Sequence, residues 1–201
     1  MIGTCAKCGN YEWDKEVDGN VIRCPKCGNT WEFVKLPLFV LTGCSGVGKT
    51  TTAMEIIRRK VDFVVLDADM FYNIMPHETE EDYYDQVEQI GSLSKNIMQS
   101  GKPVLWAMAG NLDKLLKTYN SRFFRNIRCL ALVCDEELLR TRMREGRGIA
   151  DENWIQSSVD YNEYFKSHHS LGDTEFETFD ISGKSVSEVA DFVVEWVGRQ
   201  Y

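Results

Sequence analysis

Residues 43–50 read Gly-Cys-Ser-Gly-Val-Gly-Lys-Thr, which fits the pattern G-x-x-x-x-G-K-[ST]. The apolar run at 36–41 directly precedes this stretch, and the segment at 51–59 that follows has the composition of a helix. A buried strand, a glycine-rich turn and a helix in this order form a loop that binds phosphate through consecutive backbone N–H groups. The positive end of the helix adds to the attraction for an anion. The stretch therefore predicts a nucleoside triphosphate site on an α/β fold.

Two side chains of this loop have predicted roles of their own. The pattern places the Lys49 ammonium on the β- and γ-phosphates and the Thr50 hydroxyl on Mg²⁺. The alternative is a glycine-rich turn with a lysine by chance, which the flanking strand and helix patterns disfavour. The residues predicted to bind the nucleotide here are Gly43, Ser45, Gly46, Val47, Gly48, Lys49, Thr50 and Thr51.

The composition limits the class of protein. The chain has 201 residues, of which 43% are hydrophobic and 27% charged, and its formal net charge is −8. This length accommodates one domain of ~150 residues and a small appendage, and the acidic balance gives little general attraction for nucleic acid or anionic lipid. No apolar run is long enough to span a membrane, and the first residues lack the pattern of a secretory leader. We therefore expect a cytoplasmic protein whose cysteines are metal ligands or free thiols.

Four of the cysteines have the spacing C-x₂-C-x₁₅-C-x₂-C. They are Cys5, Cys8, Cys24 and Cys27. This spacing is typical of a structural zinc site, in which four thiolates close the tetrahedral shell and leave no position for a reactive water. We expect short strands near 11–14, 20–23 and 30–35, as in a zinc ribbon. A segment of this size depends on its metal for folding energy.

The predicted zinc ribbon at 1–35 precedes a larger predicted P-loop domain at 36–201. One interpretation of the ribbon is a prop or lid packed on that domain. The other is a docking module for a protein or a nucleic acid. Its basic and acidic residues are balanced in number, which favours the prop or a protein partner over nucleic acid.

From residue 36 onward, short apolar runs alternate with longer amphipathic ones, as in a parallel sheet covered by helices. Strands are predicted near 38–42, 62–66, 103–107, 127–133 and 176–180. Helices are predicted near 49–60, 82–100, 112–118, 135–144, 151–168 and 185–198. Because the phosphate-binding loop follows the first of five strands, we predict a doubly wound α/β core with helices on both faces. Ligands of such a core bind at the carboxyl ends of the strands.

An acidic pair, Asp67 and Asp69, follows the second predicted strand. With the phosphate-binding loop, this pair and an arginine-rich segment at 136–148, the region 36–198 resembles the small P-loop kinases of the adenylate, shikimate, gluconate and nucleoside kinase type. The resemblance implies that Asp67 helps to hold Mg²⁺ or accepts the proton of the substrate hydroxyl, and that Asp69 binds the acceptor. Phosphoryl transfer of this kind needs mainly positioning and charge neutralisation. For two isolated aspartates, a solvated turn or a helix cap is the alternative.

The same resemblance makes the arginine-rich segment a helix and a mobile lid. A guanidinium group stays charged and holds phosphate oxygens in a bidentate fork. We select Arg142 and Arg147 as catalytic residues in contact with phosphate, with Arg142 also binding the nucleotide. Arg140 and Arg144 are left as alternatives, because arginines on a helix are more often solvated.

The third predicted strand runs into Gly110 and Asn111, which we assign to acceptor binding. A glycine there permits close approach of a ligand to the backbone. The alternative for Asn111 is a cap on the following helix. By the resemblance, the segment at 70–85 holds acceptor-binding helices, and the loop at 179–185 places backbone around the adenine ring.

Three functions remain open from the sequence. The leading hypothesis is ATP- and Mg²⁺-dependent phosphoryl transfer to a small hydroxyl-bearing molecule, a nucleoside or a nucleotide. The second is a polynucleotide or RNA end kinase docked by the zinc ribbon, which the negative net charge disfavours. The third is a nucleotide-binding ATPase that is not a kinase, with a protein partner on the ribbon. A GTP switch is disfavoured because the chain has no N-K-x-D motif.

Overall fold

The N-terminal segment is a small antiparallel sheet in the computed structural model, which describes all 201 residues. Its strands are β1 (Glu16–Asp18), β2 (Val21–Arg23) and β3 (Thr30–Glu32). They pair in the order β1-β2-β3, with both pairs antiparallel. The predicted three-stranded ribbon is therefore confirmed.

The first ribbon strand lies later in the chain than the predicted 11–14. The side chain of Asn10 explains this difference, because its Oδ1 accepts from the Glu12 N–H at 3.1 Å and its Nδ2 donates to Asp14 Oδ2 at 2.9 Å. Such side-chain bonds to nearby backbone compete with strand pairing. The segment at 11–14 is a bend, and pairing begins at Glu16.

The larger domain is built on a parallel sheet. Its strands are β4 (Leu38–Thr42), β5 (Val64–Asp67), β6 (Val104–Ala107) and β7 (Ile127–Val133), and after a short hairpin of β8 (Ser170–Leu171) and β9 (Thr174–Glu175) comes β10 (Glu177–Asp180). The sheet order is β10-β7-β4-β6-β5, and every neighbouring pair is parallel. The five predicted strands and their parallel arrangement are confirmed. The strand that feeds the phosphate-binding loop lies at the centre.

Six helices complete the fold. They are α1 (Lys49–Arg58), α2 (Glu80–Ile97), α3 (Leu112–Leu115), α4 (Glu136–Thr141), α5 (Glu152–Ser167) and α6 (Val186–Gly198). Two of them begin with a capping box, formed by Thr79 and Asp82 at α2 and by Ser185 and Glu188 at α6. Each box satisfies backbone N–H groups that a helix start leaves without partners. None of the helices combines the length and apolar composition that a membrane crossing requires.

The sheet is buried on both faces, because successive side chains of a strand point to opposite sides. Along β4, Leu38 and Val40 belong to one core cluster, which includes Trp106 and the inner face of α2. Phe39 and Leu41 belong to the other cluster, with residues of α1 and α6. This two-sided burial fixes the position of the loop that leaves the end of β4.

The ribbon packs on the larger domain. Trp13 stacks on Tyr119 with ring centroids 5.8 Å apart, and Phe33 meets Phe123 edge-on at 5.8 Å. The Val34 N–H donates to the side-chain oxygen of Gln99, in the turn after α2, at 2.9 Å. Because the ribbon leads directly into the start of β4, it lies at the amino ends of the parallel strands. The carboxyl ends, where the phosphate-binding loop begins, are left open.

Candidate active site

A cavity of 930 Å³ lies at the carboxyl ends of the strands. It is bounded by the phosphate-binding loop, the end of β5, the arginine-rich segment and the start of α6. The structure brings the following predicted residues to its wall: Ser45, Gly46, Val47, Gly48, Lys49, Thr50, Thr51, Asp67, Asp69, Arg142 and Arg147. Residues chosen from three distant stretches of sequence therefore share one cavity.

The glycines of the loop are required by close backbone contacts. Gly43 has φ 134°, and a Cβ there would lie 2.5 Å from the carbonyl oxygen of Leu132 in β7. Gly46 has φ 82°, and a Cβ there would lie 2.6 Å from the sulfur of Met143. Side chains rarely tolerate this backbone conformation. The loop therefore fits between β7 and the arginine-rich segment only with glycine at these positions.

Lys49 begins α1 and turns back over the loop. Its Nζ donates to the carbonyl oxygens of Gly43 and Cys44, both at 2.9 Å. Burial lowers the pKa of Lys49, while the negative charges of Asp69 and Asp67 act in the opposite direction. The ammonium group thus has weak carbonyl partners and nearby carboxylates, and an incoming phosphate would give it a stronger partner.

Thr50 and Asp67 form a pair of oxygen donors at the edge of the cavity. The Thr50 hydroxyl donates to Asp67 Oδ2 at 2.7 Å, and Asp67 Oδ1 accepts the backbone N–H of Asp69 at 3.0 Å. A hydroxyl and a carboxylate are oxygen ligands of the type that Mg²⁺ takes beside substrate phosphates. The two side chains therefore fit the predicted magnesium site.

Asp69 lies two residues further along, in the 3₁₀ helix Ala68–Phe71 after β5. It lines the cavity and no side chain donates a hydrogen bond to its carboxylate. Burial and the neighbouring charge of Asp67 raise the pKa of Asp69, and Lys49 and Arg147 oppose this shift. Asp69 therefore differs from Asp67, whose oxygens are both already engaged.

The four arginines of the segment 136–148 divide into two pairs. Arg142 donates to the carbonyl oxygen of Val47 at 2.8 Å, and Arg147 donates to the hydroxyl of Ser45. Both contacts lie on the phosphate-binding loop.

The other two arginines are held by acidic partners away from the cavity. Arg140 pairs with Glu136 at 2.7 Å, and Arg144 pairs with Glu152 at 2.8 Å. The segment Arg142–Gly146, which contains one arginine of each pair, is a π-helical turn, a local irregularity that often occurs at functional sites.

Several residues of the cavity wall were not predicted individually from the sequence. Trp154, on the first turn of α5, lines the cavity, and the Arg147 guanidinium lies 5.6 Å from its ring centroid. Ile181, Lys184 and Val186 line the side nearest β10. A tryptophan three residues after the helix cap Asp151 has no sequence signal for ligand contact, whereas Ile181 and Lys184 belong to the loop at 179–185 that the resemblance implies.

Gly110 and Asn111, predicted to contact the acceptor, lie outside the cavity wall, which ends at the preceding Met108 and Ala109. The alternative for Asn111 is not seen either: it occupies the cap position of α3 with φ 57°, but its side chain makes no capping hydrogen bond. Its role at the turn is conformational, because asparagine tolerates the left-handed region.

A family model described as an AAA domain matches residues 40–163, which is more than half of the chain. The chain belongs to the AAA domain family. The matched segment contains the phosphate-binding loop, both aspartates and all four arginines. No curated protein sequence matches this AAA-domain protein.

The fold of this AAA-domain protein is that of small P-loop kinases. A sugar kinase from Janibacter sp. HTCC2649 superposes with a TM-score of 0.60 at 17% identity, covering 82% of this chain and 95% of that one. A gluconokinase from Sinorhizobium meliloti gives 0.55 at 16%, covering 83% and 93%. A shikimate kinase from Acinetobacter baumannii, in complex with shikimate, gives 0.51 at 18%, covering 83% and 96%. At these identities the likeness establishes the fold.

The cysteine cluster of this AAA-domain protein precedes the matched segment. The sulfur atoms of Cys5, Cys8, Cys24 and Cys27 all lie within 4.8 Å of one another. Cys5 Sγ is 3.6 Å from Cys27 Sγ, and Cys8 Sγ is 3.7 Å from Cys24 Sγ. Sulfur ligands of a tetrahedral zinc ion with bonds of about 2.3 Å are separated by roughly these distances. The four thiols therefore fit the predicted structural zinc site.

Proposed function

We propose that this protein transfers the γ-phosphoryl group of ATP to a hydroxyl group of a small molecule. The observation that carries the proposal is the shared cavity. The cavity contains both a complete phosphate-binding loop and Asp69, whose carboxylate accepts no hydrogen bond from any side chain. The space between them is large enough for a second small substrate. A site that only bound a nucleotide would not need the Asp69 carboxylate and the open space beside it.

The residues divide the work of such a transfer. Lys49, Arg142 and Arg147 would hold the phosphate oxygens, because all three already contact the loop that surrounds them. Thr50 and Asp67 would hold Mg²⁺, which neutralises the charge that develops on the phosphates. Asp69 would accept a hydrogen bond from the acceptor hydroxyl.

In the reaction, the hydroxyl oxygen of the acceptor forms a bond to the γ-phosphorus as the bond from that phosphorus to the bridging oxygen of ADP breaks. The proton of the hydroxyl passes to Asp69. Its raised pKa suits this role, because a more basic carboxylate accepts a proton more readily. Closure of the arginine-rich segment would exclude water, which otherwise competes with the acceptor.

The ribbon belongs to this proposal as a prop for residues 36–201. It packs on α2 and on the 3₁₀ helix Tyr119–Phe123, at the end of the sheet opposite to the cavity, so its surface does not adjoin the reacting groups. This position weakens the hypothesis of an oligonucleotide end kinase docked by the ribbon, because a docked strand would have to cross the domain to reach the cavity.

The test is transfer of labelled γ-phosphate from Mg²⁺-ATP to a panel of sugars, nucleosides, nucleotides and oligonucleotides. We expect a labelled small-molecule product with the wild type and none above background with Lys49→Ala, whose thermal unfolding should be unchanged. Release of free phosphate alone, with no labelled acceptor, would support a second candidate, an ATPase. The match to the AAA domain family favours that candidate over the oligonucleotide kinase.

A further inference from the structure

The charges around the cavity are unevenly distributed. Three of its four cationic side chains, Lys49, Arg142 and Arg147, donate hydrogen bonds to atoms of the phosphate-binding loop. Lys184 lies beside β10, at one edge of the sheet, whereas the aspartate pair follows β5 at the other edge. A bound nucleotide would therefore lie between these cations and neutralise them, leaving the β5 edge to the acceptor.

The β5 edge of the cavity is acidic and aromatic. Beyond Asp69, the cavity wall continues to Tyr72, which is 52% exposed. The Tyr72 ring packs against His77, with ring centroids 4.6 Å apart. Three residues after His77, the chain begins α2. Exposed carboxylates surround that start, outside the cavity wall, at Glu78, Glu80, Glu81 and Asp85.

A lysine of the neighbouring helix neutralises one of these carboxylates and does not reach the cavity wall. Lys114 of α3 pairs with Glu80 at 2.9 Å and with Asp113 at 3.5 Å, and its side chain is only 13% exposed. The arginines at 122, 125 and 128 do not line the cavity either. On the acceptor side, the cavity wall therefore presents the Asp69 carboxylate and one open aromatic ring, whereas its cations lie at the phosphate-binding loop or beside β10.

We infer that the acceptor is an uncharged ring compound with a free hydroxyl, a neutral sugar or a nucleoside, that stacks on Tyr72 while its hydroxyl bonds Asp69. This inference rests on the proposed function and specifies its substrate class. A flat apolar face pairs well with an exposed aromatic ring. A phosphate or carboxylate on the acceptor would meet the Asp69 carboxylate with no free cation on that side of the wall, and like charges at such distances repel.

The experiment compares acceptors that differ by one anionic group. The pairs are glucose with glucose 6-phosphate, glucose with gluconate, and thymidine and uridine with their 5′-monophosphates. For the pair that the enzyme phosphorylates, we expect kcat/KM of the neutral acceptor to exceed that of its anionic partner about 30-fold or more. This ratio of the two kcat/KM values should fall at high salt, because salt screens the repulsion. The sugar and nucleoside arms identify which ring is used.

A charge change at Tyr72 tests the cause of the discrimination. Tyr72→Arg should raise kcat/KM for the anionic member and lower it for the neutral one, so that the ratio narrows about tenfold or more. The matched control is Tyr11→Arg, at a tyrosine of the ribbon that is 71% exposed and lies at the opposite end of the sheet. That variant should leave the ratio unchanged.

The inference fails if the wild type uses an anionic member as well as its neutral partner, or better, or if Tyr72→Arg leaves the ratio unaltered. Failure of the proposed function has a different signature. In that case no member of any pair is labelled, although ATP is bound and hydrolysed in a Lys49-dependent manner.

Discussion

Charged side chains have different partners at the two ends of the central sheet. At the carboxyl ends, Lys49 and Asp69 face a cavity and lack strong partners in the protein. Towards the amino ends, beneath the ribbon, the Glu88 carboxylate accepts from the backbone N–H groups of Tyr119 and Asn120 and from the Asn120 side chain at 2.7 Å. Buried charges that the protein itself satisfies serve the fold, and charges left open to a cavity are available for chemistry.

Lys95 shows the same contrast with Lys49. Its ammonium donates to Asn120 Oδ1 at 2.6 Å and lies 4.4 Å from the ring centroid of Phe123 and 5.8 Å from that of Trp13 in the ribbon. The lysine is thus enclosed where the two parts of the chain meet. Changes at this end should therefore alter stability, whereas changes at the other end should alter catalysis.

Metal removal should give the largest effect, confined to the amino end. We expect about one zinc ion per chain, and stripping it by chelation or by Cys24→Ser should unfold the ribbon, because structural zinc supplies on the order of 10 kcal/mol to such segments. Limited proteolysis should then cut within 1–35 before the larger domain. Phosphoryl transfer measured below the unfolding temperature should persist.

The matched control is Cys129→Ala, a buried cysteine of β7 outside the cluster, which should leave the zinc content unchanged. A well-folded, protease-resistant preparation without zinc would contradict the assignment of the ribbon. Loss of phosphoryl transfer on chelation, with the larger domain still folded, would break the separation between the two ends.

The aspartate pair should give the next largest effect, at the carboxyl end. Asp67→Asn removes a charge from the proposed metal site, so kcat should fall about 10³-fold while the unfolding temperature stays the same. Asp69→Asn keeps the bonds of Asp67 and removes the proton acceptor, so both kcat and acceptor affinity should fall.

Steady-state kinetics over both substrates separate the two roles. Asp67→Asn should retain the affinity for the acceptor, and Asp69→Asn should retain the affinity for ATP. Small, equal effects of both substitutions would reduce the pair to a turn after β5, which is the alternative that the isolated sequence allows.

The sequence predicted the core because its signals are local. The apolar run of β4 and the glycines at 43 and 46 each determine their own stretch of chain. The first ribbon strand was misplaced because the side-chain bonds of Asn10 decide between bend and strand there. Alternating aromatic and acidic residues suit either structure.

The wall of the cavity was predictable only where a motif marked it. The loop and the acidic pair carry patterns that chemistry explains, whereas the place of Trp154 depends on the angle at which α5 crosses the arginine-rich segment. The same holds for the end of the wall at Met108 and Ala109, short of Gly110, since one or two residues at a strand end decide which group reaches a cavity.

Two arginines of one segment give a smaller and sharper comparison. Arg147→Ala removes a cation from the phosphate-binding loop, so kcat/KM for ATP should fall about 10²-fold. Arg144→Ala removes only the exposed pair with Glu152, and surface pairs contribute about 1 kcal/mol or less. It should leave kinetics within twofold. Equal losses in the two variants would show that the segment acts through its folding and not through individual phosphate contacts.

The smallest effect concerns pH and the amino end. Burial lowers the pKa of Lys95 to about 8, and the charge of Glu88 opposes that shift while Lys15 and Arg122 add to it. Below pH 8 the lysine is protonated in both folded and unfolded chains, so its contribution is constant.

Between about pH 8 and the ordinary lysine pKa, the unfolded chain binds more protons than the folded one, and this difference makes stability rise with pH. From pH 7.5 to 9.5 the free energy of unfolding of the wild type should therefore rise by about 1–2 kcal/mol relative to Lys95→Met. Chemical denaturation of both proteins at the two pH values measures this difference. If this difference in the free energy of unfolding instead fell with pH, the protonated Lys95 would stabilise the contact between the ribbon and the larger domain. The charge at this end would then contribute to stability, and burial would not be its main effect.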